Sequence, residues 1–179
     1  MADEKKEPWL NVLALTTVLF AVAATLSTFR GGSFSTKSLL FQSQASDQWA
    51  FYQAKAIKGS LYEVEREHLT RELQGLEAGK GSASQLASAR KALADTDRRV
   101  ARYDQEKAEI KKTAEKLEID REDALRHNRP FGLAVIYLQI AILLSSIAAL
   151  LKKPPVYYLG LLVGAAGVVY FANGFFLFW

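Results

Sequence analysis

Residues 131–179, FGLAVIYLQIAILLSSIAALLKKPPVYYLGLLVGAAGVVYFANGFFLFW, decide the fold of this chain. Phe131 to Leu151 is an apolar run without a charge, long enough as a helix to cross a hydrocarbon core of about 30 Å. Lys152-Lys153-Pro154-Pro155 is a tight basic turn, and a second apolar run follows from Val156 to Trp179. Phe175, Phe176, Phe178 and Trp179 gather at its end, as aromatic side chains do at a membrane–water interface. Two such runs joined by a short turn read as a pair of membrane spans.

A third run lies at the other end of the chain. Trp9 to Phe29 (WLNVLALTTVLFAVAATLSTF) is about 21 residues long and free of charge, with an indole at one boundary and Arg30 at the other. Ala21-Val22-Ala23 resembles a signal-peptide cleavage site. The leading segment Asp3-Glu4-Lys5-Lys6-Glu7 is not net positive, however, so a retained span is the expectation.

Between these runs the character of the chain reverses. A mean hydropathy of zero conceals apolar ends and a middle crowded with Lys, Arg, Glu and Asp. A single soluble globule would mix these classes within every element. Gly31-Gly32-Ser33 reads as a helix break followed by a polar linker. Residues 38–79 then read as one long helix, residues 79–82 (GKGS) as a turn, and a second helix runs from an N-cap at Ser84 to about Asn128.

The second helix carries a heptad. With Leu86 at an a position, the a and d sites are Leu86, Ala89, Leu93, Thr96, Val100, Tyr103, Lys107, Ile110, Ala114, Leu117, Arg121 and Ala124, most of them apolar. In the first helix, Ile57, Leu61 and Val64 read as one seam segment and Leu69, Leu73 and Leu76 as another, with a phase slip between. Joined by a short turn, the two helices should fold back as an antiparallel pair reaching about 60 Å.

The expected fold is therefore all-α: an integral membrane protein with three transmembrane helices and a long antiparallel, coiled-coil-like hairpin between the first and second spans. The parts are residues 1–30, 31–129 and 130–179. Three spans put the amino terminus and the Lys152-Lys153 turn on one side of the membrane. The positive-inside rule keeps Lys5, Lys6, Lys152 and Lys153 in the cytoplasm and the hairpin outside. Arg30, Lys37, Arg121, Arg126 and Arg129 pull the other way, but long loops count weakly in that rule.

Several classes of chemistry find no support. The absence of Cys removes disulfides, thiolate nucleophiles and Cys-based zinc sites. The net charge of +4 is interleaved with acids rather than clustered in a stripe, which argues against nucleic-acid binding. His68 and His127 lack a metal-ligand spacing. GLEAGKGS at 75–82 misses a phosphate-binding loop in spacing, in the magnesium-binding hydroxyl and in the missing strand before it. No catalytic constellation, metal site or cofactor motif is evident, so an enzyme is not expected.

Polar groups within the spans are few. Asn11, Gln139 and Asn173 would each seek a partner in lipid, and Gly160, Gly164 and Gly167 would let helix backbones approach closely. Spacing alone leaves open whether that packing is within one chain or between subunits. In the hairpin, residues 42–58 (QSQASDQWAFYQAKAIK) stand out. Ser46, Ala50 and Ala54 form a small-residue stripe, and Trp49 and Tyr52 need a surface to bury against. Asp47, Gln48, Gln53 and Lys55 supply hydrogen-bonding groups beside them. Packing on the second helix near 114–124, a subunit contact, and a ligand site all remain open.

That segment also carries a resemblance. Asp47-Gln48-Trp49, Tyr52-Gln53-Ala54-Lys55 and Ile57-Lys58, followed by Arg126-His127 and Gln139-Ile140-Ala141 and a Gly-rich third span, closely resemble the bacterial membrane-protein family known as domain of unknown function 4337. The resemblance covers essentially the whole chain. It implies a bacterial inner membrane and adds no activity. Pro130 departs from the family's pattern, which is more helix-compatible there, and argues against a straight passage into the second span. The functional expectation is a non-enzymatic, self-associating membrane protein, a homo-oligomeric scaffold or partner platform in contact with the bilayer. An oligomeric pore lined by Asn11, Gln139 and Asn173 is the alternative.

Overall fold

A computed structural model describes residues 8–178. Those residues form three α-helices and no strand: α1 (Pro8–Ala78), α2 (Ala83–Leu151) and α3 (Pro154–Phe176). Each is long and apolar enough over part of its length to cross a membrane. The chain divides into two compact units. One gathers the residues through Leu40 with those from Asp120 on, and the other is Phe41–Ile119.

Two expected interruptions are absent. α1 passes through Gly31-Gly32-Ser33 without a break, and no linker follows. The reason lies at Gly31, which is buried: a Cβ there would stand 3.2 Å from Phe131 Cβ and 3.3 Å from Asn128 Oδ1. A helical glycine costs about 1 kcal/mol relative to alanine, which tight packing can offset. α2 likewise continues through Pro130 without a break. The proline removes one backbone bond, the one Arg126 would accept, and its ring is buried in return.

In the unit of residues 41–119, α1 and α2 meet along one seam. Contacts link Trp49 with Glu118, Lys55 with Glu106, Tyr62 with Tyr103 and Glu77 with Arg90, in opposite senses along the two helices. Every expected heptad site of α2 in this unit, from Leu86 to Leu117, is buried or half-buried. The α1 side differs from expectation. Its inward positions are Gln48, Lys55, Tyr62, Leu69 and Leu76 with Ala45, Tyr52, Gly59, Arg66 and Leu73, in an unbroken seven-residue rhythm. Ile57, Leu61 and Val64 lie outside the seam, about two-thirds exposed. The slip between two seam segments was thus a change of face: one segment belongs to the seam and the other to the opposite surface.

The turn between the helices places Lys80 in the left-handed region, with φ 56°. α2 then starts two residues earlier than expected. Ser82, rather than Ser84, is its cap: Ser82 Oγ accepts from Gln85 N at 3.3 Å, and Gln85 Oε1 accepts from Ser82 N at 2.9 Å. This reciprocal pair is a capping box.

In the other unit the three helices pack through small residues. Phe20, Ala24, Ala134, Leu138 and Ala141 form one buried cluster, and Leu13, Ala148 and Tyr157 another. Gly164 faces the ring tip of Phe20, Gly167 faces Leu138, and Gly174 faces Phe131; a Cβ at any of the three would overlap that neighbour. Phe131 is fully buried, stacked on Phe34 and set edge-on to Phe171 and Phe175. The hydroxyls of Thr17, Thr25, Ser27 and Thr28 bond to carbonyls four residues earlier, so these side chains leave no donor unmet on the helix.

Candidate functional site

The segment around Trp49 is divided between two faces of α1. Trp49, Tyr52 and Lys55 turn toward α2, while Asp47 and Gln53 are exposed and Gln48 is half-buried. Trp49 donates its indole N–H to Glu118 Oε1 at 2.9 Å, and Tyr52 stands edge-on to the indole, with centroids 5.7 Å apart. Trp49 therefore finds its partner on the returning helix, within 114–124, and Tyr52 packs against the indole.

Lys55 makes several contacts in the seam. Its ammonium is 2.6 Å from Glu106 Oε2 and lies 5.4 Å from the centroids of both Phe51 and Tyr103. The hydrogen bond from Lys55 holds the Glu106 carboxyl below its ordinary value. Two further cations are stabilised in the same region. Arg99 is held above its ordinary value by the hydrogen bond to Tyr62, and Lys107 by the one to Asp104. These are structural pairs that fix the register of two charged helices.

Among the described residues, the opposite face of α1 has no such partners. Ala50, Ala54, Ile57, Leu61 and Val64 are all exposed and recur at alternating intervals of four and three residues. Ser46 is also exposed, so the small-residue stripe runs directly into this aliphatic one. The result is a second apolar seam on one helix, turned away from the first.

In the other unit, the span residues separate by role. Gly160, Gly164 and Gly167 are buried against neighbouring helices of the same chain. Asn173 is also buried, its Oδ1 accepting from Phe178 N at 2.6 Å. Asn11 and Gln139 are exposed. The three polar residues do not converge within the chain.

One feature of this unit was not anticipated. A pocket of about 420 Å³ lies between α2 and α3, where Arg126 and Arg129 meet Asn173 above a wall of apolar side chains and Tyr170. From sequence, Arg126 and Arg129 bear on orientation, and Arg126 on the family resemblance, but neither is marked as lining a site. Their meeting with Asn173 depends on the α2–α3 packing, which no local pattern announces. Beside it, His127 Nδ1 is 2.9 Å from Gly174 O and its ring stacks on Phe34.

A family model described as "Domain of unknown function (DUF4337)" matches residues 9–177. The chain belongs to the DUF4337 family. The match takes in all three helices, so membership in DUF4337 applies to the whole arrangement rather than to one segment. No curated protein and no solved structure matches the chain.

Proposed function

We propose that this protein is a non-enzymatic, self-associating inner-membrane scaffold: a homo-oligomer whose three spans anchor an antiparallel helical hairpin for contacts with copies of itself and with partners. Membrane insertion is supported by the arrangement of apolar surface. Only 22–28% of each apolar window is buried inside the chain, so most of that surface faces outward. A water-soluble bundle would turn it inward; lipid accepts it.

The observation that carries self-association is the exposed stripe from Ala50 to Val64. It belongs to the charged part of the chain, where water and not lipid is the surroundings. Contiguous exposed apolar surface there marks an interaction site. Copies inserted in one membrane share one orientation, so two α1 helices meeting along this stripe run parallel. In a parallel pair, Ile57, Leu61 and Val64 each meet their own counterpart, giving a heptad interface. The short basic segments favour a hairpin on the outer side of a bacterial inner membrane.

The pore alternative is less well supported. Asn173 is engaged by the backbone of its own chain, which leaves Asn11 and Gln139 as outward polar groups.

The test is the mass of the full chain in lipid nanodiscs or a mild detergent. The wild-type chain should be a multimer, and Ile57→Glu with Leu61→Glu should reduce it to smaller species with helicity unchanged. A wild-type chain of one-subunit mass at native-like lipid content overturns the proposal.

A further inference from the structure

Where the apolar part of α2 begins, two guanidinium groups line one pocket. Arg126 and Arg129 are three residues apart, hence neighbours on the helix surface. Both line the pocket between α2 and α3, and among the described residues no carboxylate lines it. Among the described residues neither arginine has an ion pair, although Glu122 and Asp123 are close in sequence. Across the pocket stands Asn173, 1% exposed. Its Oδ1 is held by Phe178 N, which directs what the amide can still offer: its NH₂ donor. The rest of the wall is formed by Pro130, Leu133 and Leu177, with the ring of Tyr170 completing it. Leu133, 42% exposed, lies one turn further into the apolar run.

We propose that this pocket binds the phosphate headgroup of an anionic glycerophospholipid. Paired arginines match phosphate oxygens with forked, charge-assisted hydrogen bonds. Asn173 adds a neutral donor from the other side. The boundary of an apolar run is the depth at which lipid phosphates lie, and a basic pocket between membrane helices is suited to such headgroups. Leu133 and Leu177 then meet the glycerol and the first acyl carbons, surface that a free phosphate would leave uncovered. The pocket also discriminates by charge. A zwitterionic lipid brings an ammonium toward two guanidiniums, and among the described residues no carboxylate lines the pocket to receive it, whereas an anionic lipid brings only the phosphate charge. The volume of about 420 Å³ lies in the range of sites that enclose small ligands.

This inference rests on the membrane-spanning reading and not on self-association. A chain that is monomeric yet retains anionic lipid would overturn the scaffold and leave the pocket standing.

The experiment is lipid retention by the full detergent-purified chain, read by native mass spectrometry, with melting temperature as a second measure. The probes are phosphatidylglycerol, phosphatidylcholine and inorganic phosphate. Phosphatidylglycerol should remain bound and raise the melting temperature; phosphatidylcholine should do neither. Arg126→Gln with Arg129→Gln should weaken retention about tenfold for each arginine lost. Lys111→Gln with Lys116→Gln removes the same charge from the other unit and should retain lipid like the wild type. Should the glutamine pair fail to fold, Arg126→Lys with Arg129→Lys keeps the charge but loses the fork; it should retain less lipid than the wild type and still prefer phosphatidylglycerol. Equal retention of the two lipids overturns the proposal, as does equal loss in the Lys111 and Lys116 control. Protection by inorganic phosphate matching that of phosphatidylglycerol overturns the lipid assignment and makes the pocket a free-phosphate site.

Discussion

The ring tip of Phe20 on α1 lies over Gly164 on α3 with no space for a methyl group between them. Gly164→Ala should therefore destabilise the packing of these helices by about 1–3 kcal/mol, the usual cost of overfilling a core. Combining it with Phe20→Leu, which withdraws the ring, should recover part of that loss. Melting of the single and double variants in detergent checks the coupling; additive effects would show that the two sites do not communicate.

Because the chain has no cysteine of its own, a single introduced thiol reports on contacts between copies without background. Ile57→Cys should cross-link to its own counterpart in the membrane under mild oxidation, since a parallel pair brings each stripe residue opposite itself. Lys112→Cys, on an exposed position of α2, should cross-link far less at equal expression. Gel mobility under non-reducing conditions reads the result.

The seam pair Lys55–Glu106 makes a pH-dependent contribution. The folded Glu106 carboxyl is held below its unfolded value. Its stabilisation is therefore fully present above the ordinary glutamate range and is lost as pH falls through the lowered folded value. Wild type and Glu106→Gln should differ in melting temperature at neutral pH and converge in acid. The pair is partly exposed, so the difference should be small and reduced by salt.

At the tip, Ser82→Ala removes the acceptor that Gln85 N uses and breaks the reciprocal bond. Loss of such a cap costs about 1 kcal/mol. Hydrogen exchange at residues 83–88 should accelerate several-fold while exchange near Tyr103 stays unchanged.

Much of the helical plan was legible because it rests on local signals. The heptad begun at Leu86 names the residues of α2 that the structure buries, since a seven-residue apolar rhythm leaves a helix one favourable face. The partner face on α1 was harder to read. Its seam uses Gln48, Lys55, Gly59, Tyr62 and Arg66, whose stems and rings pack while their polar groups pair or reach water. Ile57, Leu61 and Val64 are more apolar and so attracted the assignment, but hydrophobicity reports that a face wants a cover and not which cover it has. Gly31 and Pro130 misled for a related reason. Each is a breaker by propensity, and each is overridden by buried packing. The Trp49 contact with 114–124 was among the readings open from sequence. The basic pocket was not, because Arg126 and Asn173 come together only through the pairing of α2 with α3.

The burial rhythm of α2 recurs at Ala89, Thr96, Tyr103, Ile110, Leu117, Ala124, Phe131, Leu138 and Ser145, every seventh residue, each buried or half-buried. Such spacing acts as a ruler on permissible changes of length. Adding or removing seven residues in both arms at matching heights returns each later side chain to its face with about 20° of drift, which supercoiling absorbs. Three or four residues would rotate everything beyond them by roughly 40–60° at 100° per residue, pulling Tyr103 or Lys55 out of contact. Viable hairpins of other lengths built on this pattern should thus differ from it in paired steps of about two helical turns.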